Sequence, residues 1–134
     1  MVYCFLAPGF EEIEALATVD ILRRANIEVL TVGVDEDVIV GAHQIPVLAD
    51  LRDFQITPDS SLEAVILPGG MPGTINLEKS EYVQKAVDYC AENNIPIASI
   101  CAAPSILGHK GLLDGKKACC YTGYDTQLGD AIYD

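Results

Sequence analysis

Basic residues are scarce in this chain: 8 Lys and Arg stand against 20 Asp and Glu, a formal net charge of −12. No basic run or patch is present, which argues against a nucleic-acid backbone as partner. The acidity favours solubility and says little about fold. No apolar stretch approaches the length of a membrane span. Residues 1–7 are apolar, but too short for a signal-peptide core and without a basic flank. These absences predict a cytoplasmic protein with no membrane partner. The chain has no C-x-x-C pair, and its cysteines number five, an odd count. A disulfide framework and a zinc site are both disfavoured, so neither a metal nor an organic cofactor is expected. Repeats, linkers and low-complexity tracts are also missing.

What remains is an ordinary globular profile. The 134 residues are 50% hydrophobic and 21% charged, enough for one domain with a substantial core. Residues 2–7 read as a buried strand stopped by Pro8 and Gly9. A helix is predicted over residues 11–25, with Ile13, Leu16, Ala17 and Ile21 as its apolar stripe. Glu11 and Glu12 read as solvated first-turn charges, Arg23 and Arg24 suit the last turn, and Asn26 ends the helix. Residues 28–34 form a second strand. Residues 38–47 make a short hairpin turning at 41–43. A third core strand, 64–67, closes at Pro68-Gly69-Gly70. Ser80 caps a helix whose stripe is Val83, Ala86, Val87, Cys90 and Ala91, running to Asn93-Asn94. Residues 96–100 give a fourth core strand and 102–107 a helix start. Residues 117–121 suit one more strand, which would turn Cys119 and Cys120 to opposite faces with one of them buried. Short apolar strands alternating with amphipathic helices predict an α/β fold, a mostly parallel sheet with helices on both faces.

Sites in such sheets form at the C-terminal ends of the strands, and three ends here carry unusual chemistry. In Ser99-Ile100-Cys101-Ala102-Ala103-Pro104 a strand meets a helix with almost no loop. The corner residue is held in a strained conformation with its side chain projecting, and small neighbours permit the tight turn. A cysteine there feels the helix dipole, which predicts a thiolate of lowered pKa. After 64–67, Pro68-Gly69-Gly70 lets the backbone approach a ligand closely, and its amides together with that of Ala102 suit an oxyanion. Glu14 lies near the end of the first strand. A buried, protonated carboxyl there would donate to the cysteine sulfur and move protons. Cys4 and Cys90 read as core, and His109 as a cap or surface group.

Taken together, Ala98-Ser99-Ile100-Cys101-Ala102-Ala103-Pro104, Val65-Ile66-Leu67-Pro68-Gly69-Gly70 and Pro8-Gly9-Phe10-Glu11-Glu12-Ile13-Glu14 resemble the ThiJ/PfpI superfamily. The nearest branch includes the parkinsonism-associated protein deglycase and its bacterial relatives. The resemblance covers essentially the whole chain. It implies a flavodoxin-like, doubly wound fold, a homodimer, a reactive cysteine at Cys101 with its carboxyl partner at Glu14, and oxyanion amides at Gly70 and Ala102. It implies a small dicarbonyl such as methylglyoxal, or a glycated protein, as substrate. The alternative is a redox-sensing stress chaperone in which Cys101 oxidises without turnover. Gly69, Tyr121 and His43 are further pocket candidates. His43 falls about where this branch carries a basic residue that reaches toward a partner's site. The chain departs from the pattern at Tyr121, where many members place a histidine, so the site reduces to a Cys101–Glu14 pair. Ala102 stands where the intracellular-protease branch has histidine, which disfavours a peptidase. Members of the family run on beyond residue 134 by a strand, a glycine-rich turn and a helix, so a single domain lacking that final strand and helix is expected.

Overall fold

The computed structural model describes all 134 residues. Its centre is a five-stranded, wholly parallel sheet in the order β5-β2-β1-β6-β7. The strands are β1 (Val2–Leu6), β2 (Val29–Gly33), β5 (Leu51–Arg52), β6 (Ala64–Leu67) and β7 (Ile97–Ser99). Every residue of β1 is buried, as expected of a central strand covered on both faces. Its side chains alternate. Tyr3 and Phe5 join Val65, Leu67, Val83, Val87 and Ile106 on one face, beneath α3 (Glu81–Glu92) and α4 (Pro104–His109). Val2, Cys4 and Leu6 join Phe10, Ala15, Val19 and Ile66 on the other, beneath α1 (Glu12–Arg24). Burial pushes the Cys4 thiol up to about 12, against a weaker opposing pull from Arg23.

The ends of the helices follow local chemistry. The Ser80 hydroxyl accepts from the Val83 amide and starts α3. Asn26 and Asn94, with φ of +60° and +56°, turn the chain just beyond α1 and α3. The hairpin is β3 (Val38–Val40) against β4 (Pro46–Leu48), antiparallel.

Five expectations need correction. The stripe predicted for α1 faces outward: Ile13 and Ile21 are 74% and 64% exposed, and Ala17 is exposed with them. The helix instead packs through Glu12, Ala15 and Val19. Its phase is set by Glu12, which is buried rather than solvated. Glu12 Oε2 accepts the amides of His43 (2.7 Å) and Ile45 (3.3 Å), and Oε1 lies 2.9 Å from His43 Nδ1. That carboxylate pins the hairpin turn to the first turn of α1. The third correction is β7, which is an edge strand; Ala98 and Ile100 beside it are exposed rather than core. Ala91 likewise falls outside the buried face of α3. Finally, β8 (Lys117–Ala118) is shorter than predicted and pairs with β9 (Ile132–Tyr133) in a separate small sheet. Cys119 is therefore exposed and Cys120 half-buried, with neither in the core. A helix not anticipated from sequence, α2 (Gly73–Lys79), follows the Pro68-Gly69-Gly70 turn.

The Glu12–His43 tie has a pH signature. Burial alone raises the Glu12 carboxyl, but hydrogen bonds from the His43 ring and the His43 and Ile45 amides hold it below its ordinary 4.5. The hydrogen bond that the His43 ring donates to Glu12, then the Glu12 charge, raises His43 above 6.5. The histidine contribution is complete below 6.5 and fades as pH rises through the raised value. The carboxylate contribution is complete above 4.5 and fades as pH falls through the lowered one. An NMR titration is expected to give His43 a midpoint above 6.5, and Glu12→Gln is expected to return it toward 6.5.

Candidate active site

The ends of β1, β6 and β7 meet at one corner of the sheet. Backbone hydrogen bonds lock the loops: Glu11 N donates to Gly69 O (3.0 Å), Gly73 N to Gly9 O (3.2 Å) and Thr74 N to Gly70 O (2.9 Å). Gly70 has φ +93°, and a Cβ there would lie 2.5 Å from Glu11 N, so the crossing of these loops demands glycine.

Cys101 sits in the left-handed region with φ +63°, which is uncommon for any residue but glycine. Its neighbours hold it there. Its carbonyl accepts from Tyr121 N at 2.8 Å, and Ala103 N donates to Ile100 O at 3.0 Å. Ser105, which is buried, donates its hydroxyl to Ala102 O at 2.7 Å. The predicted corner is therefore present, with the thiol half-buried.

Glu14 reaches this corner from the first turn of α1. Its Oε1 accepts the Gly69 amide at 2.9 Å. Glu11, the N-cap, accepts the Glu14 amide at 2.8 Å, and Thr18 donates to the Glu14 carbonyl at 2.7 Å. A methyl group on Gly69 would sit 2.7 Å from Cys101 Cβ and 2.8 Å from Glu14 Oε1, so the thiol and the carboxylate close on this one glycine. The Glu14 carboxylate and the Ala102 and Gly70 amides are the groups whose field acts on the Cys101 sulfur. Sequence reasoning brought Cys101, Glu14, Gly69, Gly70 and Ala102 together, and the structure places all five at one point.

The charge state of the sulfur departs from expectation. Burial and then the Glu14 charge push the Cys101 thiol above its ordinary 9.0, and the Glu14 hydrogen bond adds to them. The Ala102 and Gly70 amides pull the other way without prevailing. The predicted lowering rested on a helix dipole. But α4 has only six residues and begins at Pro104, so the sulfur lies outside the first helical turn.

Two candidates lie apart from the thiol. His43 is committed to Glu12, with Glu11 Oε1 at 3.8 Å. These three side chains place ligand atoms within 4.8 Å of one another, but the carboxylate of Glu12 is already filled by three donors. Tyr121 bonds Cys101 through its backbone amide, while the residue is 60% exposed and its ring tilts against Tyr124. Sequence reasoning missed Glu11, Thr18 and Ser105 as supports. Only Glu11 left a signal, as an acidic residue at a helix start three positions before Glu14. Beside Glu14, a groove of about 200 Å³ runs over the sheet past Thr18, Ile66, Ala98 and Ile100.

Thiol alkylation followed against pH is expected to give Cys101 a midpoint above 9.0. Glu14→Gln removes the opposing charge and is expected to lower that midpoint.

Comparison with known proteins places these features in context. The sequence model of the DJ-1/PfpI family matches residues 1–134. The chain is 35% identical to a Drosophila melanogaster protein named dj-1beta over 131 residues, covering 92% of this chain and 66% of that protein. It is 33% identical to a deglycase of Pyrococcus abyssi, covering 96% of this chain and 76% of that protein. The chain thus spans about two thirds to three quarters of these two relatives, and under a third of an Arabidopsis thaliana DJ-1 homologue. Among solved structures, a mutant DJ-1 superfamily protein of Salmonella typhimurium superposes with a TM-score of 0.89 at 36% identity. That match covers 99% of this chain and 72% of the other. Drosophila melanogaster DJ-1beta superposes with a TM-score of 0.90 at 31% identity, covering 99% and 73%.

Proposed function

This chain belongs to the DJ-1/PfpI family, and from that premise we propose that it is a cysteine-dependent enzyme of the glyoxalase or deglycase type. Its substrates are small dicarbonyls or their early adducts on proteins. The observation that carries the reading is that Cys101 and the Glu14 carboxylate close on the same glycine, Gly69, with the Gly70 and Ala102 amides acting on the sulfur. The deglycase name of the archaeal relative supports it.

The raised thiol supports one division of roles. At neutral pH Cys101 keeps its proton and Glu14 is the base that removes it, as the sulfur bonds to the aldehyde carbon. The carbonyl electron pair moves to oxygen, which the Gly70 and Ala102 amides receive, and Glu14 returns the proton to give a hemithioacetal. With methylglyoxal, a proton then leaves the sulfur-bearing carbon and returns at the neighbouring carbonyl carbon, while the hydroxyl proton passes from the first oxygen to the second. The product is a thioester, and water hydrolyses it to lactate and free thiol. Lactate production is expected to show multiple turnovers, and to fall about 100-fold or more in both Cys101→Ser and Glu14→Gln. A parent protein that consumes one equivalent and stops would refute the enzyme reading.

A second reading, a redox sensor, rests on the same amides, which would equally receive the oxygens of a cysteine sulfinate. Oxidation of Cys101 by two equivalents of peroxide, one for each oxygen of the sulfinate, with no lactate formed, would select it.

The homodimer that accompanies this reading finds support on α1. Ile13, Ala17 and Ile21 lie one turn apart on its exposed face, beside Ile45 of the hairpin turn, which is also exposed. Sedimentation is expected to show a dimer in the parent and a monomer in Ile13→Glu. A monomeric parent would exclude that surface as a self-interface.

A further inference from the structure

His109 ends α4, and both of its ring nitrogens face oxygens. Nδ1 lies 2.6 Å from Glu78 Oε2 on α2, and Nε2 lies 2.7 Å from Gln127 Oε1. Only the imidazolium can donate to both at once. Gln127 closes a short 3-10 turn, Asp125–Gln127, that lies on α4. The fit there is tight: a Cβ on Gly108 would sit 2.4 Å from the Gln127 carbonyl oxygen.

The turn leads back to the thiol through a run of backbone hydrogen bonds. Gln127 N donates to Tyr124 O (2.9 Å), Tyr124 N to Tyr121 O (3.0 Å), and Tyr121 N to Cys101 O (2.8 Å). The last bond is one of those holding Cys101 in its left-handed conformation. His109 therefore clips α2 to the segment that props the reactive corner from outside.

We propose that protonated His109 is a positioning residue for Cys101, acting through Gln127, Tyr124 and Tyr121. The proposal rests on the reading of Cys101 as the reactive thiol, but not on any turnover. Glu78 is the one charged group that acts on the His109 ring. The neighbouring Lys110 is turned to Asp88 and Gln84 on α3, and Asp125 lies beside Cys120. The hydrogen bonds that the His109 ring donates to Glu78 and Gln127 raise it above its ordinary 6.5. The clip is therefore closed below 6.5 and opens as pH rises through the raised value, leaving the corner less constrained.

The test combines NMR with alkylation of Cys101 by iodoacetamide. The His109 ring is expected to titrate above 6.5, and the Tyr121 amide proton to shift with the same midpoint. The alkylation profile is expected to carry a second inflection there. His109→Arg keeps a permanent cation able to donate to both partners, so the Tyr121 shift should stay at its low-pH value throughout. His109→Gln should leave it at the high-pH value, and Glu78→Gln should move the midpoint down toward 6.5. Loss of methylglyoxal turnover would leave these readouts untouched, so the two readings fail separately. A Tyr121 amide and a Cys101 rate that ignore the His109 midpoint would overturn the proposal. So would a neutral His109 served by a rotated Gln127 amide.

Discussion

The hydrogen bond from Gly69 N to Glu14 Oε1 joins two halves of the molecule that are otherwise separate in sequence. One partner comes from the first turn of α1, the other from the end of β6. Without it the carboxylate would have no fixed place, and the thiol of Cys101 would face only amides. The bond forms because Gly69 has no side chain: any Cβ would meet the cysteine and the carboxylate together. A glycine, an acid and a thiol are therefore a single geometric unit, and the loops that cross at Gly70 keep it rigid.

Three acids at the start of α1, Glu11, Glu12 and Glu14, divide the labour. Glu11 caps the helix, Glu12 fastens the hairpin and Glu14 serves the thiol. Consecutive helix positions point about 100° apart, so one short run of glutamates reaches three different surroundings. This use of acid side chains rotates the helix and leaves its aliphatic stripe in water.

The sequence was most legible where apolar runs end in Pro or Gly. β1, β6 and the corner at Cys101 all lie where their patterns place them, and so does the Ser80 cap. The reading failed where tertiary contacts override pattern. Periodicity assigned the inner face of α1 to Ile13, because nothing in the local sequence announces that Glu12 finds buried donors 31 residues away. α2 was hidden by Pro72 and Gly73 at its start, which resemble loop. β7 reads as core by composition, yet it sits at an edge. The charge on the Cys101 sulfur depends first on its burial and then on Glu14, whereas sequence reasoning credited a helix dipole. The convergence of the five site residues was nonetheless foreseeable from the order of three strand ends.

The conformation of Cys101 also bears on how the gene can drift. A residue with a Cβ is held there at a cost of about 1–2 kcal/mol, which glycine would avoid. Cysteine at this position is thus a burden on the fold, and a change to glycine would yield a sturdier protein without the thiol. Screens that reward abundance or heat resistance alone would drive this lineage toward a scaffold that lacks it. Persistence of the thiol requires selection for what the sulfur does.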